Sequence, residues 1–165
     1  MDAEIPRWRI REAVIGDTQG VSRLITDLGY PTDVASMRKR LKPILRDPAA
    51  LTLVAESGGQ VVGVAGVSLA RYFEKDGIYA RLIVLAVSST TRGRGVGRRL
   101  VVAAERWSAR KGAREMFVNS GLHRKEAHAF YRRCGYARTG FRFVRPLGRR
   151  KPTANARATK ARGPR

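Results

Sequence analysis

The sequence predicts an α/β fold in which a mixed central β-sheet carries helices on both faces. Three observations predict it. Apolar residues near the N-terminus recur every three or four positions, as on amphipathic helices. Those between residues 51 and 87 alternate or run continuously, as in strands. A glycine-rich turn then joins the longest apolar run to another amphipathic segment, a strand–loop–helix unit. With 165 residues, 43% of them hydrophobic, the chain has material for one core.

Taken in order, Trp8-Arg9-Ile10-Arg11 alternates and predicts a short strand, and Asp17 is suited to N-cap the helix that follows. Val21, Leu24, Ile25 and Leu28 give that helix one apolar face, and Gly29 before Tyr30-Pro31 ends it. A second helix starts near Thr32 or Asp33 with Val34, Met37, Leu41 and Leu45 on its face, and Asp47-Pro48 closes it. Leu51 to Ala55 and Val61 to Leu69 are two strands around the hairpin turn Ser57-Gly58-Gly59-Gln60. Ile78 to Val87 is apolar enough for a strand covered on both faces. A helix is expected from about Gly95 to Lys111, with Val96, Leu100, Ala104 and Trp107 inward and Gly112 at its end. Met116-Phe117-Val118 is a strand, Lys125 to Cys134 a helix ended by Gly135, and Phe141-Arg142-Phe143-Val144 a last strand. The predicted order is β-α-α-β-β-β-α-β-α-β-β.

Several classes of protein fall away. No apolar run reaches the roughly 20 residues of a membrane helix. Met1-Asp2-Ala3-Glu4-Ile5 has neither the basic nor the apolar part of a signal peptide, and Cys134 is the only cysteine, so the expectation is a cytoplasmic protein without membrane association. The net charge of +21 is unevenly spread. From Pro146 to the end there are seven basic residues and no acid, which predicts a domain over residues 1–147 and a disordered basic tail over 148–165. The rest still carries +14, and 27 of the 34 basic residues are arginine, as a compositional bias would give. Non-specific contact of the tail with nucleic acid is the reading that charge alone suggests.

Chemistry is concentrated in Arg92-Gly93-Arg94-Gly95-Val96-Gly97-Arg98-Arg99, between the apolar strand and its helix. Amides at a helix start lack intrahelical partners and carry partial positive charge, and glycines let a pyrophosphate approach them. As a bare string the motif is common in a chain rich in arginine and glycine, and an ordinary basic turn reads the same. A second segment, Ala127-His128-Ala129-Phe130-Tyr131-Arg132-Arg133-Cys134-Gly135-Tyr136, places Tyr131 on the same helical face as Ala127, Phe130 and Cys134.

The strand Leu82 to Val87 followed by Arg92-x-x-Gly95-x-Gly97 resembles the cofactor motif of the GNAT N-acetyltransferases, and the second segment resembles their A-x-x-F-Y-x-x-x-G-F/Y signature. The resemblance covers about residues 7–147. Ala127-His128 before Phe130-Tyr131, with Phe141-Arg142-Phe143 later, is most similar to the aminoalkylphosphonate acetyltransferase branch. It implies acetyl-CoA as the acetyl donor and direct transfer to a primary amine of a small molecule in a ternary complex. The main chain of Leu85, Ala86 and Val87 would pair with the pantetheine arm. Arg92, Gly93, Arg94, Gly95, Val96, Gly97 and Arg98 would hold the pyrophosphate, and Tyr131 would be the general acid toward the departing thiolate. Such folds also imply a homodimer as one arrangement.

The match stops at the base. Many family members carry a glutamate on the strand before the loop, and the corresponding places here hold Val84 and Arg81. Glu74 and Asp76 read as exposed turn residues. An ordered water, Ser120 or His123 remains open for the role, while Gly121 stands where an asparagine is frequent, with Asn119 close by. His128 reads as a packing residue, and Cys134 as a small buried hydrophobe rather than a nucleophile. Arg71, Arg81 and Arg124 would suit an anionic or zwitterionic amine. No metal is expected. Two other readings stay open: an acyl-CoA-binding module of weak activity, and a nucleic-acid- or ribosome-associated basic protein.

Overall fold

A computed structural model describes residues 8–145 and residue 147. The basic tail from 148 lies outside the described residues. Five strands form one sheet: β1 (Arg9–Glu12), β2 (Ala50–Ser57), β3 (Gln60–Arg71), β4 (Ile78–Val87) and β5 (Ala113–Val118). Helices α1 (Thr18–Asp27) and α2 (Val34–Ile44) separate β1 from β2, α3 (Val96–Arg110) separates β4 from β5, and α4 (Lys125–Arg133) follows. Spatial order equals chain order. Pairings are antiparallel through β4, and β4 pairs parallel with β5. Only that last pair needs a crossover, and α3 supplies it.

Strand periodicity divides the core into two layers. Leu53 and Ala55 of β2 and Ala65 and Val67 of β3 face α3, where Val96, Leu100, Val101 and Ala104 are buried. The alternate residues Val54 and Val64 face Val21 and Leu24 of α1 and Met37 of α2. The predicted mixed sheet with helices on both faces is therefore the observed one. Gly63 makes the α3 layer close: a Cβ there would come within 2.9 Å of Leu100 Cδ1 and 3.1 Å of Val96 Cγ1.

Three local expectations change. Asp17 precedes α1 but does not cap it. Its carboxylate accepts from Val14 N–H at 2.8 Å and from both Arg11 Nη atoms at 2.7 and 2.8 Å. Arg11 also donates to Glu56 on β2 at 2.8 Å, so a buried acid ties the start of α1 to the sheet. Arg11 holds the Asp17 carboxyl below the usual carboxylate range, against the opposing effect of burial. The second helix begins at Val34, just past the expected start near Thr32 or Asp33, and Asp33 caps it by accepting from Ser36 N–H at 2.7 Å. Phe141 to Val144 is not a strand. Phe141, Phe143 and Val144 are exposed, and no ladder partner reaches them among the described residues. Alternation predicts a strand only where a neighbouring strand supplies its hydrogen bonds and cross-strand contacts.

A bulge in β4 lies beside the site. Val67 pairs with Leu82 but Gly66 pairs with Val84, so Ile83 is an extra residue. Ahead of it Ala80 and Leu82 face α3; beyond it Leu85 and Val87 do, and Ala86 turns to the other layer. Pairing of β4 with β5 ends at Leu82 and Val118. β5 ends at that pair, and the edge of Leu85 to Val87 on that side has no strand partner among the described residues.

Candidate active site

The gap beyond the bulge holds a cleft of about 880 Å³ between the end of β4, the loop before α3, and α4. The loop is a backbone construction. Gly93 and Gly95 have φ of 77° and 87°, a conformation that L side chains rarely adopt. Nothing lies within 4 Å of where their Cβ atoms would be, so backbone conformation rather than crowding calls for glycine there. The first α3 backbone bond runs from Arg99 N–H to Gly95 O at 3.1 Å. The N–H groups of Val96, Gly97 and Arg98 precede it and are left by the helix for another acceptor. Arg92 Nε donates to Val87 O at 3.0 Å and fastens the loop to the strand end. Gly97 admits the Phe130 ring, which would meet a Cβ at 3.4 Å.

Leu85, Ala86, Val87, Arg92, Gly93, Gly95, Val96, Gly97, Arg98 and Tyr131 all border this cleft. Arg94 does not; it is exposed in the turn between the two positive-φ glycines. A strand edge free for pairing, glycines that open the backbone, orphan amides and arginines fit a long ligand with an amide-bearing arm and a pyrophosphate, as in acetyl-CoA.

A smaller cleft of about 260 Å³ opens on the other side of Tyr131. Its walls come from Ile25, Leu28 and Tyr30 of α1 and the turn after it, from Leu82 to Leu85 around the bulge, and from Val118, Asn119 and Ser120 at the end of β5. Its charged groups are Arg124 and Arg142, and Arg71 and Arg81 are not among its walls. That corrects the expectation for Arg71 and Arg81: one ends β3 in solvent, and the other precedes the bulge, its buried Nε without a partner. Val84 does stand in this wall, at the place where a carboxylate base was sought. The Ser120 Oγ is buried without a hydrogen-bond partner and lies here, whereas His123 borders the larger cleft.

Tyr131 borders both clefts. Its position follows from α4, whose last turn is closed by Gly135 at φ 92° and by a bond from Tyr136 N–H to Tyr131 O at 3.0 Å. The ring meets Phe130 and Tyr136 edge to face at 5.3 and 5.8 Å, and Tyr136 donates to Glu105 of α3 at 2.9 Å. Burial raises the Tyr131 phenol above its ordinary value, while the Arg124 charge pulls it down. It is thus protonated at neutral pH and able to donate. Tyr131 also packs on the core, so the packing reading and the chemical reading of its helical face hold together. Cys134 borders the larger cleft and its thiol is raised by burial, opposite to the shift that activates a nucleophile. Among the described residues no group of three His, Cys, Asp or Glu side chains converges.

Sequence reasoning expects acceptor contacts in the loops around residues 29–34, 69–78 and 135–142, and Tyr30 and Arg142 of the first and last do border the smaller cleft. It missed Ile25 and Leu28, which read as the apolar face of a helix. Nothing in their local pattern indicates a shared cavity.

This fold, with a phosphate-suited strand–loop–helix and a tyrosine between two clefts, defines an acyl-transfer enzyme of the coenzyme A type. Comparison with known proteins gives the family. The Acetyltransferase (GNAT) family profile matches residues 19–136. Aminoalkylphosphonate N-acetyltransferase of Salmonella typhimurium is 28% identical over 144 residues, 87% of this chain and 94% of that protein. Aminoglycoside N(6')-acetyltransferase type 1 of Stenotrophomonas maltophilia is 30% identical over 135 residues, 79% of this chain and 86% of that one. Among solved structures, an aminoglycoside N-acetyltransferase in complex with CoA superposes with a TM-score of 0.78 at 20% identity, covering 90% of this chain and 99% of that one. A GNAT family acetyltransferase of Staphylococcus aureus gives 0.74 at 26% identity, covering 85% and 98%. The chain belongs to the GNAT acetyltransferase family, and it is an N-acetyltransferase. No helix among the described residues is long and apolar enough to cross a membrane.

Proposed function

We propose that this enzyme moves the acetyl group of acetyl-CoA to the primary amine of a small molecule that also carries an anionic group, by direct attack in a ternary complex. One observation carries the reading: Tyr131 borders both clefts, so a thioester in the larger and an amine in the smaller would meet beside its hydroxyl. Acetyl-CoA, when bound, supplies the activated acetyl group. The chain would hold it by backbone: the free edge of Leu85 to Val87 for the pantetheine arm, and the amides at the start of α3, with Arg92 and Arg98, for the pyrophosphate. Tyr131 would give its proton to the leaving sulfur.

The acceptor class follows from charge. The smaller cleft is bordered by two guanidinium groups and by no carboxylate among the described residues. A polycation such as an aminoglycoside would meet like charge there, and an amine bearing a phosphonate, phosphate or carboxylate would be paired by Arg142. The name of the Salmonella relative agrees with the second class. The test is thiol release from acetyl-CoA across a panel containing an aminoalkylphosphonate, an aminoalkyl carboxylate, a plain alkylamine and an aminoglycoside. Anionic amines should show kcat/KM at least about tenfold above the plain alkylamine, the size of one charge-assisted contact. Preference for the aminoglycoside would refute the assignment of the acceptor.

A further inference from the structure

We propose that Arg124 does by its charge what no carboxylate in this site can do: it keeps the bound acceptor amine neutral and holds the negative charge that develops as the thioester opens. The inference rests on the assignment of the two clefts made above. Just four residues border both of them, Leu28, Leu85, Arg124 and Tyr131. Two are aliphatic. At the junction where amine and thioester would meet, the polar side chains are therefore the phenol of Tyr131 and the guanidinium of Arg124.

The placement is local and firm. Arg124 is half-buried and immediately precedes α4, and its carbonyl accepts from His128 N–H at 3.1 Å. Arg124 and Tyr131 each border both clefts, which sets the two residues at the same gap. The Arg124 charge already acts on Tyr131, pulling its phenol down against the larger effect of burial.

The groups facing the junction decide whether another base is available. From β4 come Leu82, Ile83, Val84 and Leu85, none of them titratable. Tyr30, after α1, and Asn119 and Ser120, after β5, carry no charge at neutral pH, and Arg142 adds a second positive one. On the cofactor side stand Arg92 and Arg98 around the start of α3, His123 in the loop, Lys125, Glu126 and Arg133 on α4, and Cys134 just after it. Glu126 is the sole acid bordering either cleft among the described residues; it is exposed and faces the cofactor side alone.

An ammonium must lose a proton before it can attack. A like charge nearby disfavours the ammonium and lowers its pKa from the usual value of about 10, so a larger share of the bound amine is neutral at a given pH and its proton passes to solvent. Attack forms the C–N bond and leaves negative charge on the carbonyl oxygen. Collapse breaks the C–S bond, and the sulfur takes the Tyr131 proton. The second proton on nitrogen returns through water to the phenolate. Oxyanion, thiolate and phenolate are each negative, and Arg124 stabilises all three.

The experiment is the pH dependence of kcat, with acetyl-CoA and the best acceptor of the panel both saturating, for wild type, Arg124→Gln and Arg124→Lys. The Gln variant should move the acidic limb upward by about one pH unit or more, with a loss of about tenfold at neutral pH that narrows as pH rises. The Lys variant keeps the charge and should keep the wild-type limb within a few tenths of a unit. Calorimetry should give both variants CoA affinities near that of the wild type. An unmoved limb in Arg124→Gln, even with a raised acceptor KM, would show simple anion anchoring and overturn the proposal alone. Wild-type protein that binds CoA but acetylates no amine would overturn the proposed function together with it.

Discussion

On the cofactor side of Tyr131 the walls come almost entirely from two stretches of chain, Leu85 to Arg98 and His123 to Cys134; on the acceptor side they come from five segments scattered between Ile25 and Arg142. In the proposed function the first wall would recognise its ligand chiefly by backbone: a free strand edge, two positive-φ glycines and the amides at a helix start. The second would recognise by side chains: Tyr30, Asn119, Ser120, Arg124 and Arg142. Backbone recognition suits a ligand whose polar groups are amide and phosphate, which any correctly turned chain can meet. Side-chain recognition suits a wall that must change with the acceptor. The two meet at Tyr131, Arg124, Leu28 and Leu85, beside the bulge at Ile83 and the point where β5 ends.

That contrast can be broken at its hinge. Tyr131→Phe should lower kcat by about 10²–10³-fold while the Kd for acetyl-CoA stays within about threefold, because a general acid acts in the transition state and not in binding. Steady-state kinetics and calorimetry check it, and an equal loss in both would place Tyr131 in packing alone.

The next effect concerns the scaffold under the acceptor wall. Asp17 anchors α1, which carries Ile25 and Leu28, and the cofactor loop does not rest on it. Asp17→Ala should cost about 2–3 kcal/mol in thermal or denaturant unfolding, since it leaves the guanidinium of Arg11 short of a bidentate partner. The sign with pH is set by the lowered carboxyl. In the wild type this stabilisation is complete above the unfolded-state pKa of about 3.9 and is lost as pH falls through the lower folded-state value. Asp17→Ala should therefore flatten the acid end of the stability curve.

Gly95→Ala probes the backbone side. A residue with a Cβ held at φ 87° costs about 1–2 kcal/mol, and no neighbouring atom adds a clash. The Kd for acetyl-CoA should rise about tenfold with acceptor KM little changed. Arg142→Gln probes the side-chain side and should be the mildest: about a fivefold rise in KM for an anionic amine, none for a plain alkylamine, and an unchanged CoA affinity. Crossed outcomes in this pair would show that the two walls are not independent.

The sequence made the cofactor wall legible because its parts are contiguous. The apolar run into Val87, the glycines and the amphipathic face of α3 are patterns of neighbours, and neighbours in sequence suffice to fix a strand–loop–helix. The second motif likewise put Tyr131 on the inner face of α4. Illegible were the features set by distant partners. Asp17 has the chemistry of a helix cap, yet Arg11 and Glu56 claim it because β1 and β2 pair. Phe141 to Val144 alternates like a strand, yet no strand meets it among the described residues. Arg81 and Arg124 are both arginines that the sequence offers to an anionic acceptor, and only the course of the chain in space decides that Arg124 reaches the clefts and Arg81 does not.

By itself, then, the sequence determined the class of fold, the strand–loop–helix that suits a pyrophosphate, and the family, since each depends on residues within a few turns or strand lengths of one another. The tertiary structure alone decided where β4 bulges and its pairing with β5 ends, that two clefts open there, and that Arg124 and Tyr131 stand together between them. Those outcomes depend on register and packing between segments up to about a hundred residues apart, and no local periodicity records them.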